Sequence, residues 1–262
     1  MIILHYFKRI LTEPIGILIY IGLPMVLVIL NVVLNVGIME TPDAQVINGY
    51  SMIATGIMTI IMVMFQFMGG ALIVDYYYRD FKTDQRWRLL ASPMPLSRFL
   101  FASMLACVTF SILSGGLIIA VSAIFLDAYL HNPFILIAVL VVMALFAQVF
   151  GILVSLLGLK KSTAEAITTL FSFAMVIPAG HMFVNFRMGE VGDFIFGRAT
   201  PYAQAVNAIL YSGSTGGDLF GNLGFDKANA NMNMALLNVG ILLATTIVLG
   251  VIAWIVARRR SF

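Results

Sequence analysis

Six apolar runs punctuate the chain, each long enough to cross a bilayer as a helix. They cover Ile15–Ile38, Gly49–Val74, Phe99–Leu126, Phe134–Leu159, Ala164–Val184 and Met234–Ala257. A helix of about 20 residues matches the hydrocarbon layer, so each run predicts one transmembrane helix. The connectors are short and polar: Glu40 to Asp43, Asp127 to Pro133, and Lys160 to Ser162. Two are longer. Residues 76–97 separate the second and third runs, and a glycine-rich segment, 185–233, precedes the last. The pattern predicts an all-α membrane protein of six transmembrane helices, one domain over residues 1–262.

Residues 1–13 carry a different pattern. Ile3, Leu4, Phe7, Ile10 and Leu11 recur at helical spacing, with Lys8, Arg9 and Glu13 between them. This predicts an N-terminal amphipathic helix lying along the membrane interface, broken from the first span by Pro14. A plain extension of the first span is the alternative. Lys8 and Arg9 before an apolar run also resemble a secretory signal. The run is longer than the roughly 7–15 residues of a signal core, and no small-x-small cleavage site follows, so a retained span is expected.

Composition agrees with lipid as the solvent. Apolar residues make up 61% of the chain and charged residues 10%, against roughly 25% charged in soluble domains. The net charge of +3 does not point to nucleic acid, because the basic residues sit between apolar runs. Twelve of the 15 Lys and Arg residues fall on one side of the expected topology: Lys8, Arg9, Arg79, Lys82, Arg86, Arg88, Arg98, Lys160, Lys161 and Arg258 to Arg260. The positive-inside rule then places both termini in the cytoplasm. Trp254, one turn before the terminal arginines, suits an interfacial anchor.

No catalytic constellation stands out. His5, His131 and His181 are far apart and divided between the two sides. The single cysteine, Cys107, lies within an apolar run, so no catalytic, cofactor or metal residue is expected. The cores of the spans lack Asp, Glu, Lys and Arg, the usual carriers in ion-coupled transport. Their polar residues are neutral. Asn31, Asn35 and Gln66 are candidates for lining a pathway, with hydrogen bonding between helices as the simpler role; Gln148 is of the same kind. Ser162 and Glu165 fit a capping box that starts the fifth span. Gly158 to Thr163 lacks the glycine–lysine step of a phosphate-binding loop. Leu113 to Leu117, Leu-Ser-Gly-Gly-Leu, lies inside a span, where Gly115 and Gly116 predict a close helix contact.

The loop after the second span is the informative segment. Phe81, Trp87, Leu90 and Ala91 share one helical stripe flanked by Arg86 and Arg88, and Pro93 and Pro95 end it. Tryptophan and arginine are frequent anchors of protein interfaces; a helix resting on lipid alone is the alternative. Arg79-Asp80, Thr83 and Leu89-Leu90-Ala91-Ser92-Pro93 resemble the motif of the permease subunits of type-2 ABC exporters. Lys82 and Gln85 depart from that motif, which commonly has glycine before the threonine and an acid two residues after it. The family also has an amphipathic N-terminal helix, six spans and short helices before the last span.

The resemblance implies a cytoplasmic coupling helix that docks on an ABC ATPase, through Arg79, Asp80, Phe81, Thr83, Arg86, Trp87, Leu89, Leu90, Ser92 and Pro93. It implies ATP and magnesium on that partner, none on this chain. It further implies a second permease copy or a sibling permease, and a place among the lipids of a bacterial cell membrane. The expected function is ATP-driven export of a hydrophobic or amphipathic molecule such as a drug, antimicrobial peptide or lipid. An ion-coupled secondary transporter, a membrane-embedded enzyme and an assembly factor are the competing readings. Thr200-Pro201 predicts a helix start within 185–233, where the family has short helices that dip into the outer leaflet.

Overall fold

The computed structural model describes residues 2–38, 46–47, 50–83, 86–87, 91, 96–128, 130, 132–176, 198–212 and 231–259. Helix α1 (Ile2–Leu11) is followed by α2 (Pro14–Ile17), which passes through a π-helical turn at Leu18–Gly22 into α3 (Leu23–Ile38). A two-residue antiparallel pair, β1 (Val46–Ile47) with β2 (Tyr50–Ser51), leads into α4 (Met52–Met68) and α5 (Gly70–Phe81). Then come α6 (Leu96–Phe125), α7 (Pro133–Leu156), α8 (Lys161–Val176), α9 (Pro201–Tyr211) and α10 (Met232–Arg259). The all-α membrane class holds. Among the described residues, five helices are long and apolar enough to cross a membrane. The fifth expected span begins as α8, and its remainder, 177–184, lies outside the described residues.

The ends of the helices follow from local sequence. Asn132 caps α7: its Oδ1 accepts from the amides of Phe134 at 3.0 Å and Ile135 at 3.3 Å, with Pro133 in the first turn. Proline there loses nothing, since its missing N–H would have had no helical partner. Thr200 caps α9 in the same way, accepting from Ala203 N at 3.1 Å ahead of Pro201. That is the start expected from Thr200-Pro201. Residues 202–210 of α9 are buried against α4, α7 and α10. The other calls within 177–197 and 213–230, Pro178 and Gly180 among them, lie outside the described residues.

Two differences from expectation concern helix ends. The helix of the second span does not stop near Val74 but runs on to Phe81. Phe81 is therefore no part of a separate amphipathic helix with Trp87. It is buried, and its ring stacks on Tyr77 at 5.5 Å. The three tyrosines Tyr76, Tyr77 and Tyr78 keep the helix going, because each finds a buried place beside neighbouring helices. The second difference is the start of α8. It begins at Lys161, so Ser162 is an exposed residue of the first turn and not its cap. Glu165 faces Lys161 Nζ at 3.6 Å instead of reaching back to a serine amide. Lys161 is drawn into the helix by its ion pair with Asp75 on α5.

Helix α7 forms the axis of the bundle, packing against α4, α5, α6, α8, α9 and α10. Two glycines let α5 and α7 cross almost backbone to backbone. A Cβ on Gly151 would lie 2.3 Å from the Gly70 carbonyl oxygen, and one on Gly70 would lie 2.5 Å from that of Ala147. Without a hydrophobic drive between helices in lipid, such close packing is a main source of cohesion. The expected contact at Gly115 is present, a Cβ there meeting Leu140 Cδ1 at 2.3 Å; Gly116 faces open space. By contrast α3 and α10 are exposed along most of their length, through Val26, Leu30, Val33, Ile247, Val251 and Ile255 among others.

Gly151→Ala should lower the thermal midpoint of the detergent-purified chain by overpacking, at a cost of about 1–3 kcal/mol. Gly116→Ala should leave it unchanged. Equal midpoints for the two variants would contradict the crossing.

Candidate functional site

The basic end of the bundle holds α1, the end of α5, the start of α8 and the end of α10. Here α1 uses its two faces differently. Tyr6 and Ile10 are buried against α5 and α6, while Ile3, Leu4, Lys8 and Leu11 are exposed. The docked face carries Arg9, whose guanidinium bonds the Asp80 carboxylate at 2.9 Å. Asp80 is nearly inaccessible, its side chain 5% exposed. Burial, together with the nearby Asp80 carboxylate, raises the pKa of the Tyr6 hydroxyl, so it stays neutral. A buried carboxylate is tolerable only with such partners.

A second chain of ion pairs runs beside the first. Glu13 pairs with Arg79, Arg79 with Asp75 at 2.9 Å, Asp75 with Lys161, and Lys161 with Glu165 at 3.6 Å. Tyr76 lies between the two strings: Arg9 sits over its ring at 5.0 Å from the centroid and Arg79 at 5.8 Å. Its ring also meets that of Tyr6 edge-on at 6.1 Å. The hydrogen bond that Lys161 donates to Asp75 holds its ammonium above the usual pKa, so it remains charged through the physiological range. Tyr78 extends the tie, donating its hydroxyl to the Leu159 carbonyl ahead of α8. The end of α5 is thus fastened to α1 on one side and to α8 on the other.

The candidate residues from sequence divide accordingly. Arg79, Asp80 and Phe81 are brought together on α5, but they face the bundle's own helices. Thr83 donates its hydroxyl back to the Arg79 carbonyl and closes the helix end. Beyond it Arg86 and Trp87 are α-helical, with Arg86 N bonded to Thr83 O at 3.0 Å and Ala91 N to Trp87 O at 3.0 Å. Arg86 and Trp87 both project outward, Trp87 at 73% exposed. Leu89, Leu90, Ser92 and Pro93 lie outside the described residues.

Of the polar residues within spans, Asn31 donates to the Leu27 carbonyl of its own helix at 2.8 Å. The side chain of Asn35 lies outside the described set. Gln66 is buried inside the bundle and bonds the Ser111 carbonyl of α6 at 2.6 Å, which makes it a link between helices. Among the described residues no three His, Cys, Asp or Glu side chains gather as a metal site. Sequence reasoning missed Arg9, Glu13, Asp75 and Lys161 as a connected set. The four-residue spacing of Asp75 and Arg79 was the available signal; the links to α1 and α8 are long-range and had none.

The profile of the family described as ABC-2 family transporter protein matches residues 1–255. The chain belongs to the ABC-2 transporter family. A comparison with curated proteins found no match. Family membership makes this chain a multi-pass permease subunit of an ABC transporter. Permeases of the ABC-2 family work with an ABC ATPase partner, on which the ATPase activity lies.

Arg9→Gln should destabilise the permease by about 3 kcal/mol, because it strips the cation from a buried carboxylate. Lys161→Gln should cost about 1 kcal/mol or less, since the lysine side chain is 45% exposed and such pairs are screened. Thermal unfolding in detergent measures both, and the reverse order would contradict the burial argument.

Proposed function

We propose that this permease exports a hydrophobic or amphipathic molecule, of the class of drugs, antimicrobial peptides or lipids. Its basic end, with both termini, faces the cytoplasm of a bacterial cell. Two permease copies, or this chain and a sibling, pair with two ATPase subunits. Each ATPase docks on the segment from Thr83 to Pro93, with Arg86, Trp87, Leu89 and Leu90 as anchors. ATP with magnesium on the partner closes the ATPases, and the docked segment passes that closure to α5. Asp80 and Arg79 then transmit it sideways to α1, and Asp75 to α8, so that the three move together. A pathway between the permeases opens outward, walled by the first, second and fifth spans, with Asn31 and Asn35 as its few polar contacts.

The observation that carries this reading is the exposure of Trp87 a few residues beyond a helix end that is otherwise locked by ion pairs. A large aromatic side chain in that position gains most by burial in a partner, about 1.5–3 kcal/mol. The absence of charge from the span cores supports an external energy source. The apolar walls favour an apolar or amphipathic cargo.

Trp87→Glu should reduce co-purification of the ATPase at least tenfold while leaving the permease folded, as judged by its unchanged gel-filtration profile. Undiminished capture of the ATPase with transport intact would remove the docking assignment.

A further inference from the structure

The core of the permease is not continuous from end to end. One apolar cluster fills the basic end, from Tyr6 and Ile10 through Leu72–Phe81, Ala102–Phe110 and Ile152–Leu156 to Ala164. Another fills the opposite end, from Val28 and Val32 through Ala54–Phe67, Ile118, Ile135–Phe146 and Val176 to α9. Between them each central helix carries small or polar residues: Gly69 and Gly70 after α4, Ser111, Ser114 and Gly115 on α6, and Gln148 and Gly151 on α7. Only Phe150 packs against both clusters among the described hydrophobic residues.

At this same level two helical rods have defects in their backbone ladders. In the first span the π-helical turn Leu18–Gly22 lies here, and the Tyr20 carbonyl accepts the Ser114 hydroxyl from α6. In the second span the ladder tightens at Gly69, whose carbonyl accepts from Leu72 N at 3.0 Å, three residues on. The same carbonyl also accepts from Gln148 Nε2 at 3.0 Å. Gln148 Nε2 lies 3.4 Å from Ser111 Oγ, and Gln66 Nε2 donates to the Ser111 carbonyl at 2.6 Å. Gly115 makes that last bond possible, because a Cβ there would lie 2.4 Å from Gln66 Nε2. Kinks arise where glycine pairs or an inserted side chain interrupt the ladder, and a short 3₁₀ or π stretch within a helix often marks a hinge.

The node is also incompletely satisfied. The carbonyl oxygens of Gln66 and Gln148 are both buried without a hydrogen-bond partner. A buried unpaired acceptor costs about 1–3 kcal/mol, so this polar centre holds two such costs side by side. A rotation of either carboxamide exchanges its donor and acceptor ends at little steric cost. Releasing the Gly69 carbonyl from Gln148 removes the tie that holds the second span to α7 at this level.

We propose that this polar level is a flexing plane, and that Gln148, bonded to the Gly69 carbonyl, is the positioning residue that holds it in place. The end block containing α1, α2 and α5 turns against the block containing α3, α4 and α9. The bends fall at Leu18–Gly22 and Gly69–Gly70. This rests on the coupling role proposed above: the fastened end of α5 receives the ATPase motion, and the plane decides where along the spans that motion is absorbed. A rod without such a plane would carry the displacement unchanged across the membrane.

The test uses the permease with its ATPase, spin-labelled in pairs at exposed positions and diluted with unlabelled permease. Pair distances are read with and without a non-hydrolysable ATP analogue. The pair Lys82 and Leu34 spans the plane; Lys82 and Lys8 lie within the basic-end block, and Leu34 and the half-exposed Ser212 within the other. Binding of the analogue should change the first distance by about 2 Å or more and leave the other two unchanged. Gln148→Met, which removes the amide at nearly constant volume, should shrink that change while the ATPase stays bound. Equal changes within a block and across the plane would overturn the plane and leave the coupling role standing. No change in any pair would overturn the coupling role and the plane with it. The wild-type pairs decide the matter even if the methionine variant does not fold.

Discussion

The fold depends on how a charged carboxylate can be kept at the edge of an apolar bundle. Asp80 is almost inaccessible to water, and it remains tolerable because Arg9 meets it from α1. That requirement places the N-terminal helix. The pairings of Arg79 with Glu13 and Asp75, and of Asp75 with Lys161, repeat the demand along the next turns. A helix end that would otherwise fray is thereby fixed to two others. The burial of Tyr76, Tyr77 and Phe81 follows from that fixation and adds an apolar floor beneath the charges.

Further into the bundle the organising force changes. There the helices gain nothing from leaving lipid for one another, so contact depends on shape and on a few hydrogen bonds. Gly70, Gly151 and Gly115 supply the shape, and Gln66, Gln148, Ser111 and Ser114 supply the bonds. These residues lie at one level, between two apolar clusters. The permease therefore has two stiff ends and a more polar middle, an arrangement suited to converting a push at one end into a change of shape.

Five of the six expected spans were legible because apolar run length is a strong signal and lipid punishes its violation. The caps at Thr200-Pro201 and the close contact at Gly115 were legible for the same local reason. The continuation of the second span through Tyr76–Phe81 was not, because Asp75, Arg79 and Asp80 look like a loop until their partners on α1 and α8 are known. Those partners lie 66 to 86 residues away in sequence, beyond the reach of periodicity. Ser162 and Glu165 show the reverse error: a local capping pattern is present in the sequence, but the helix begins at Lys161, one residue ahead of the serine. For Gln66 the type of residue and its depth allowed either a pathway contact or the simpler bond between helices, and its bond to Ser111 agrees with the latter.

The central claim is that α1 and the end of α5 act as one body through Arg9 and Asp80. A charge exchange between these two positions tests it most directly, with ATP-driven transport by the reconstituted permease and ATPase as the readout. Arg9→Asp and Asp80→Arg should each reduce transport severely, by leaving like charges facing each other, and the double exchange should restore most of it. A double variant no better than its worse parent would contradict the claim, as would single variants that transport normally.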